Sequence, residues 1–362
     1  MLPIAATPRA FSCACGRPIF FRNSECLACG RALGYAPVRG ALLALEPVRG
    51  GSWREATVPV RRAPRYKRCA NLDSAAACNW LLDAAEAAAG FTLCRCCRLT
   101  RTVPDLSLPG ASLWWGRIEQ AKRRLVSSLI GLKLPVASKT EDPQHGLAFD
   151  LLLAPADGPA VITGHADGVI TLDVSEADDA RREARRHDLG EPYRTLLGHL
   201  RHESGHYYWQ RLVEPSDWLG PWRELFGDER EDYAEALKRH YANGAPEDWG
   251  RRFVSAYASA HPWEDWAETW AHYLHLVDTL DTARSFGLDG ERVELSYERF
   301  GADVVAGDGD FLALINSWME LTGVLNELSR SMGVADFYPF VLSAAAVRKL
   351  HLVHRIVKGA RA

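Results

Sequence analysis

The 362-residue sequence lacks any apolar run near the length of a membrane-spanning helix, which needs about 18 consecutive apolar residues. Its first residues (MLPIAATPRAFSCACG) lack the basic start and long apolar segment of a secretion signal. We therefore expect a cytoplasmic protein that does not act at a membrane. Internal repeats and low-complexity tracts are also missing, and 47% of the residues are hydrophobic, so the chain can bury the cores of two domains.

Histidine is missing from residues 1–104, and cysteine is missing from residues 105–362. The net charge of −3 hides a second asymmetry, because residues 1–104 carry 15 Lys and Arg against 6 Asp and Glu, whereas residues 105–362 carry 28 against 40. These differences predict two domains of different chemistry. The nine cysteines stand in close pairs without a secretion signal, which favours thiolate metal sites over disulfides.

Two short cysteine pairs stand near the start of the basic region. Cys13 and Cys15 form CAC, and Cys26 and Cys29 form CLAC. A glycine directly follows each pair and permits the tight turn that aims backbone amides at the sulfurs. Four thiolates that close on one ion make a structural zinc site, so this set predicts a zinc ribbon, although the first pair is C-x-C rather than C-x-x-C.

A second, looser set of cysteines comprises Cys69, Cys78, Cys94 and Cys97. Cys96 could replace Cys94 as the ligand, because both lie in the segment CRCC. The alanine-rich loop between these residues also fits a small hydrophobic subdomain with incidental cysteines. We interpret residues 1–104 as a zinc-ribbon region with two four-cysteine sites, which would hold one or two structural Zn²⁺ ions.

The basic side chains of this region allow two interpretations. These basic side chains are Arg61, Arg62, Arg65, Lys67, Arg68, Arg95, Arg98 and Arg101. Basic modules stapled by metal often bind nucleic acid. Alternatively, this region packs on the acidic half of the same chain, or it is a charged linker that is simply solvated. We favour the second interpretation, because only Tyr66 and Trp80 offer aromatic rings for recognition among these arginines.

The segment LRHESGHYYW at 200–209 contains H-E-x-x-H, formed by His202, Glu203 and His206. On a helix the two histidines lie one turn apart on one face and can reach a single Zn²⁺. The glutamate between them is placed to handle the metal-bound water. Apolar spacing over residues 193–213 predicts a largely buried helix. We interpret His199, one turn earlier, as solvated or hydrogen-bonded rather than as a ligand.

The residues between the basic region and this helix predict a helix at 113–132, followed by strands at 147–155 and 161–174. Residues 166–168 (ADG) give a hairpin signal within the second strand run. Residues 169–174 are our candidate for an edge strand that pairs with extended substrate, although an ordinary sheet strand fits them equally. Helical spacing also predicts helices at 310–332 and 339–357.

An H-E-x-x-H pair needs a third ligand from elsewhere, and two later segments offer a glutamate. Residues 231–237 (EDYAEAL) have basic neighbours and fit a solvated helix. Residues 264–270 (EDWAETW) lie among aromatic residues, where Glu264 and Glu268 need strong partners. We predict that Glu264 is the third ligand and that Glu268 holds a ring N–H of a liganding histidine. His272, one turn further, is interpreted as structural.

The motif at 200–209, the segment FVSAYASAHPWEDWAETWAHYLH at 253–275 and the cysteine-rich start together resemble a family of zinc-binding metallopeptidases with an N-terminal zinc ribbon. More distantly, H-E-x-x-H followed by E-x-x-x-E is similar to gluzincins. The resemblance implies an α+β fold, with a mainly helical gluzincin-like zincin domain at 105–362, a small antiparallel sheet and a C-terminal helical extension. It also implies that Tyr257, seven residues before Glu264, donates to the developing oxyanion, although FVSAYAS also fits a core position.

We therefore expect a zinc metallopeptidase, a hydrolase that acts on a peptide or protein substrate. One catalytic Zn²⁺ would be held by His202, His206 and Glu264. In this hypothesis a zinc-bound water attacks the peptide carbonyl, Glu203 is the general base and Tyr257 stabilises the oxyanion. The alternative is a zinc-ribbon adaptor that binds nucleic acid or an acidic protein and carries an inactive peptidase-like domain.

Overall fold

The computed structural model describes residues 7–154, 158–188, 194–288 and 297–360. Helices and small sheets are both present, so the predicted α+β class is confirmed. The chain divides into two compact units between residues 185 and 186. The first unit thus continues beyond the cysteine-rich region, and the boundary at 104/105 stays a prediction. Along the described residues we find no helix with the length and apolar character that a membrane crossing demands.

The cysteine-rich part of the N-terminal unit is built from short antiparallel strands. Strand β1 (Phe11–Ser12) pairs with β2 (Pro18–Ile19). A five-stranded sheet follows in chain order, formed by β3 (Leu33–Ala36), β4 (Ala41–Val48), β5 (Ser52–Glu55), β6 (Arg65–Arg68) and β7 (Leu81–Leu82), and the short helix α1 (Ala84–Ala88) comes after it. Leu43, Leu45, Tyr66 and Leu81 form its buried core. Strands that follow one another in the chain are neighbours in this sheet, and each pair is antiparallel.

The second sheet of this unit is mixed, and this corrects the expected small antiparallel sheet. Its strands are β8 (Thr100–Thr102), β9 (Ala148–Leu152), β10 (Gly164–Ala166) and β11 (Val169–Asp173), in the spatial order β10-β11-β9-β8. Strand β9 runs parallel to both β8 and β11. The connection from β8 to β9 contains the long helix α2 (Ala111–Gly131), and such a crossover allows parallel pairing.

The strand proposed for substrate pairing is not at the edge of this sheet. Strand β11 lies between β9 and β10 and uses its hydrogen-bonding groups on both sides, so the edge-strand prediction is wrong. The hairpin prediction is confirmed. Asp167 and Gly168 connect β10 to β11 with φ values of 48° and 76°, the left-handed pair that a two-residue type I′ turn requires.

Helix α2 confirms the helix predicted at 113–132. Trp115, Ile118, Leu125 and Leu129 are buried on its inner face. The helix approaches the loop between Cys69 and Cys78 so closely that a Cβ on Gly116 would lie 2.4 Å from the carbonyl oxygen of Ala75. Helix α3 (Asp179–Asp188) follows the second sheet, and the division between the two units falls within it.

The C-terminal unit is helical in its described part. Its helices are α4 (Leu196–Leu212), α5 (Leu219–Phe226), α6 (Tyr233–Asn243), α7 (Pro262–Ser285), α8 (Gly309–Ser331) and α9 (Ala344–Gly359). The helix predicted at 310–332 is confirmed as α8. Helix α9 begins five residues later than predicted, because the Ser343 side chain accepts a hydrogen bond from the Ala346 backbone N–H and caps the helix there.

Helices α4 and α7 approach each other closely at Gly205. A Cβ on this residue would lie 2.9 Å from Cα of Ala267, so a larger residue would push the helices apart. Two tryptophans of α7 donate to α4 beside it: Trp266 Nε1 to the Gly205 carbonyl at 2.8 Å, and Trp270 Nε1 to Ser204 Oγ at 3.1 Å. These contacts fix the face of α4 that carries H-E-x-x-H against the acidic first turns of α7.

Candidate metal centres

The histidines of α4 and the first glutamate of α7 lie together in the C-terminal unit. The candidate ligand atoms of His202, His206 and Glu264 all lie within 4.8 Å of one another. Glu264 Oε2 is 3.0 Å from His202 Nε2, and Glu264 Oε1 is 3.6 Å from His206 Nε2. Ligands about 2.0–2.1 Å from a tetrahedral Zn²⁺ would be roughly 3.3–3.4 Å apart, and the two observed distances bracket that value.

Two buried carboxylate oxygens at this site support the fit of a cation. Among the described residues, Oε2 of Glu203 has no hydrogen-bond partner, and Oε2 of Glu264 has none apart from its ion-pair contact with His202 Nε2. Glu264 is 1% exposed and Glu203 is 7% exposed. A buried carboxylate oxygen without a partner is costly, and a metal ion would remove that cost. The residues present therefore fit a metal ion with His and carboxylate ligands.

Glu268 lies one turn after Glu264 and contacts the other ring nitrogen of His202. Its Oε1 is 2.7 Å from His202 Nδ1, and its Oε2 accepts a hydrogen bond from Ser255 Oγ at 2.6 Å. Ser255 Oγ in turn accepts from the backbone N–H of Ala258 at 3.1 Å. With Nδ1 occupied by the carboxylate, Nε2 of His202 is the nitrogen directed at Glu264. This is the contact that the sequence interpretation assigned to Glu268.

The carboxylates make this site favourable for positive charge. Burial lowers the pKa of His202, but Glu264 and Glu268 outweigh burial and raise it well above the usual value. Burial and the neighbouring His202 lower the pKa of His206, so this ring stays neutral. Burial raises the pKa of Glu264, but His202, His206 and Tyr233 outweigh burial and lower this pKa to about 2. The site therefore offers a neutral imidazole and an ionised carboxylate.

Tyr233 is a site residue that sequence reasoning missed. It lies in the segment 231–237, which the sequence assigned to a solvated helix, and its hydroxyl donates to Glu264 Oε1 at 2.7 Å. Burial and the charge of Glu264 raise its pKa, so the phenol keeps its proton. Ser255 was missed as well. Neither contact had a signal in the sequence, because both depend on tertiary packing against α7.

Tyr257 lies beside the histidines on a single 3₁₀ turn, Tyr257–Ser259. Its ring centroid is 6.0 Å from that of His202 and 5.9 Å from that of His240. Burial and the nearby Glu264 raise its pKa, so this phenol is also protonated and can donate a hydrogen bond. The structure thus places Tyr257 next to the proposed ligands.

Two other histidines near the motif stand apart from the ligand group. His199 is not among the three residues whose ligand atoms converge. His272 is buried, and its Nδ1 lies 2.6 Å from the hydroxyl of Tyr338. Burial lowers the pKa of His272 to about 4, against the opposing charge of Glu268, so this ring is neutral and packed in the interior.

The first cysteine set converges in the N-terminal unit. The sulfurs of Cys13, Cys15, Cys26 and Cys29 all lie within 4.8 Å of one another. Cys13 Sγ is 3.7 Å from Cys29 Sγ, and Cys15 Sγ is 3.8 Å from Cys26 Sγ. Sulfurs about 2.3 Å from a tetrahedral Zn²⁺ are about 3.8 Å apart. Backbone N–H groups lower the pKa of the Cys26 thiol to about 7, which favours the thiolate that binds metal.

The second cysteine set converges in the same way and is entirely buried. It consists of Cys69, Cys78, Cys94 and Cys97, and the Cys78 and Cys94 sulfurs are 3.6 Å apart. The backbone N–H of Cys94 donates to Cys69 Sγ at 3.3 Å. Cys96 is buried but lies outside this group, so the structure brings Cys94 rather than Cys96 to the other three sulfurs.

Several basic side chains of this region bind groups within their own unit. Arg98 forms ion pairs with Glu86 at 2.9 Å and Glu141 at 3.1 Å, and Arg101 Nε donates to Asp150 at 2.9 Å. Exposed basic residues of this region include Arg61, Arg62, Arg65 and Lys67, and also Arg17, Arg22, Arg39 and Arg49. Part of the basic character of residues 1–104 therefore serves internal pairing.

Comparison with known proteins adds to this geometry. A sequence model of the family described as "Putative zinc-binding metallo-peptidase" matches residues 112–356, which is more than half of the chain. The chain belongs to this family. A zinc-ribbon domain model matches residues 10–108. Zinc binding is thus supported both by the family assignments and by the cysteine clusters.

The chain is also similar to curated proteins of mycobacteria. Relatives include an uncharacterized protein of Mycobacterium tuberculosis (strain ATCC 25618 / H37Rv) and one of Mycobacterium bovis (strain ATCC BAA-935 / AF2122/97). The chain is 45% identical to each over 351 residues, covering 96% of this chain and 95% of the relative. No solved structure matches the chain significantly.

Proposed function

We propose that this protein is a zinc-dependent peptidase whose reaction centre is formed by α4 and α7. The observation that carries the proposal is the convergence of His202, His206 and Glu264, with Glu203 on the same helix, whose buried Oε2 has no hydrogen-bond partner in the described part of the chain. The family assignment supports the same function. The substrate class is a peptide or protein.

Three side chains would hold the zinc ion through Nε2 of His202, Nε2 of His206 and a carboxylate oxygen of Glu264. A zinc ion held by three protein ligands supplies Lewis acidity, which lowers the pKa of water and polarises a carbonyl group. Glu268 fixes the ring of His202 through Nδ1, and this keeps Nε2 available as a ligand atom.

Glu203 is the proposed general base. It accepts a proton from the water that attacks the peptide carbonyl and then donates that proton to the leaving nitrogen. Its charge acts on His206, which places it beside the proposed ligands, and its buried Oε2, without a hydrogen-bond partner among the described residues, is the proposed proton acceptor. The phenol of Tyr257, protonated because burial raises its pKa, is the proposed donor to the oxyanion.

The two cysteine groups are proposed to hold one structural zinc ion each. Four thiolates fill a tetrahedral site and leave no position for water or substrate, so these ions would stabilise the N-terminal unit rather than react. The location that we propose for the protein is the cytoplasm, where unpaired cysteines remain reduced and available to metal.

The adaptor alternative depends on a free basic surface in residues 1–104. Arg98 and Arg101 are engaged by carboxylates of their own unit, which removes two basic side chains from that surface. Binding of nucleic acid through this surface is therefore less well supported than peptidase activity. Such binding would weaken with added salt and would require no Glu203.

The test is the substitution Glu203→Gln, with Glu214→Gln as its control, because Glu214 is exposed just after the same helix. Zinc-loaded proteins are incubated with a mixture of peptides and denatured casein, and new termini are identified by mass spectrometry. We expect cleavage by the wild type and the control, and a loss of roughly 10²–10⁴-fold in Glu203→Gln with unchanged zinc content. Undiminished cleavage by Glu203→Gln would refute the role of Glu203.

A further inference from the structure

Helix α6 presents one narrow face to the proposed zinc site. Tyr233, Ala236 and His240 are spaced three and four residues apart, so they lie along one side of the helix. Ala236 is the buried residue of this helix, whereas most of the others are exposed. The hydroxyl of Tyr233 donates to Glu264, and the ring centroid of His240 lies 5.9 Å from that of Tyr257.

The two oxygens of the Glu264 carboxylate have different surroundings. Oε1 accepts the hydrogen bond from Tyr233 at 2.7 Å. Oε2 lies 3.0 Å from His202 Nε2 and, among the described residues, has no hydrogen-bond partner. A carboxylate anchored through one oxygen can rotate little about its last bond, so its second oxygen keeps a fixed direction. The phenol thus determines which oxygen is left for a metal ion.

The position of Tyr233 is itself fixed by the start of α7. Its ring lies edge-on to that of His261, with centroids 5.1 Å apart. His261 Nδ1 accepts from the backbone N–H of Trp263 at 3.1 Å, so the ring proton is on Nε2, which donates to the Glu231 carbonyl at 3.2 Å. One histidine therefore ties the backbone just before α6 to the first turn of α7.

We propose that Tyr233 is a positioning residue for the zinc ligand: its hydroxyl holds Oε1 of Glu264 so that Oε2 is the oxygen that binds the metal. This proposal rests on the proposed zinc site, and it adds a contact from a helix outside the ligand-bearing pair α4 and α7. Partners that orient a metal ligand typically change metal affinity by about 10–100-fold when they are removed.

The test measures zinc affinity by chelator competition, and it does not depend on peptide cleavage. Tyr233→Phe removes only the hydroxyl, and Tyr241→Phe is the matched control, because Tyr241 lies on the same helix and is 63% exposed. We expect Tyr233→Phe to raise the Kd of one zinc ion per chain by about 10–100-fold, while the ions at the cysteine groups and the control variant stay unchanged.

A double-mutant cycle separates positioning from a general effect on packing. In a Glu264→Ala background the hydroxyl has no carboxylate to hold, so Tyr233→Phe should cause no further loss of affinity. An unchanged Kd in Tyr233→Phe, or an equal loss in the Glu264→Ala background, would overturn the proposal. If the wild type binds no zinc beyond the cysteine groups, the proposed zinc site itself fails, and that result is distinct from the other two.

Discussion

The cysteine groups and the histidine–glutamate group place metal ligands in contrasting surroundings. Each cysteine group offers four like donors from turns and short loops, with measured sulfur separations of 3.6–3.8 Å. The other group offers three donors from two long helices and lies beside further carboxylates. Four donors close a tetrahedral site, whereas three leave a position open. In the proposed function, ligand number and the neighbouring acids distinguish the two structural sites from the reactive one.

The two kinds of group also differ in the contacts that support their side chains. At the cysteine groups, backbone N–H groups reach the sulfurs, as the bond from Cys94 N–H to Cys69 Sγ shows. At the histidine–glutamate group, side chains support the ligands: Glu268 contacts His202, and Tyr233 contacts Glu264. Because side chains provide this support, a single substitution can alter the site without removing a proposed ligand.

The largest expected effect is on folding, from removal of a thiolate. Cys78→Ser eliminates a fully buried donor, and in small structural zinc sites about 10 kcal/mol or more of metal binding is coupled to folding. We expect this variant to lose one zinc ion and to lose protection from hydrogen exchange around residues 65–97. Zinc at the histidine–glutamate group should remain.

Cys96→Ala is the control for this comparison, because Cys96 is equally buried but lies outside the four-sulfur group. Its zinc content should equal that of the wild type. Equal zinc loss in both variants, or no loss in Cys78→Ser, would mean that the assignment of the four ligands is wrong.

A smaller effect is expected where the support of a ligand, rather than the ligand, is changed. Glu268→Gln keeps the shape of the side chain but removes the charge that faces Nδ1 of His202. We expect a roughly 10–100-fold weaker affinity for one zinc ion, measured by chelator competition, with little change in the melting temperature. Glu214 is exposed just after α4, so Glu214→Gln serves as the control. An affinity equal to that of the wild type would show that Glu268 does not support the ligand.

The last prediction changes the pH and leaves every side chain in place. Glu264 and Glu268 raise the pKa of His202 despite its burial, and a proton on Nε2 competes with zinc. Below this raised pKa the zinc affinity of the histidine–glutamate group should fall by about tenfold for each pH unit, beginning above the ordinary histidine value of about 6.5. The measurement is the zinc Kd between pH 8.5 and 5.5. A constant Kd from pH 8 to 6 would contradict the charge arrangement.

Local sequence patterns predicted the parts of these centres that depend on short-range geometry. The i, i+4 spacing of His202 and His206 defines one helix face, and the cysteine pairs with their following glycines define turns. Glu264 was distinguishable because a carboxylate in an aromatic helix needs a partner. The choice between Cys94 and Cys96 remained open, since adjacent positions in a loop differ only through the tertiary path of the chain.

Local sequence patterns could not predict contacts between segments that are distant in the chain. Tyr233 lies in a polar, mostly exposed helix, and only the packing of α6 beside α7 brings its hydroxyl to Glu264. The edge-strand prediction at 169–174 failed for a related reason, because strand order depends on pairing with a segment about twenty residues earlier. The sequence therefore predicted the elements and the side chains that converge better than it predicted the neighbours of those side chains.

The most direct test of the central claim is the zinc content of the purified chain, compared between wild type and His206→Ala. Three ligand groups predict three zinc ions per chain in the wild type and two in the variant, with both cysteine groups still filled. Equal zinc content in the two proteins would contradict the claim that α4 and α7 together hold a metal ion.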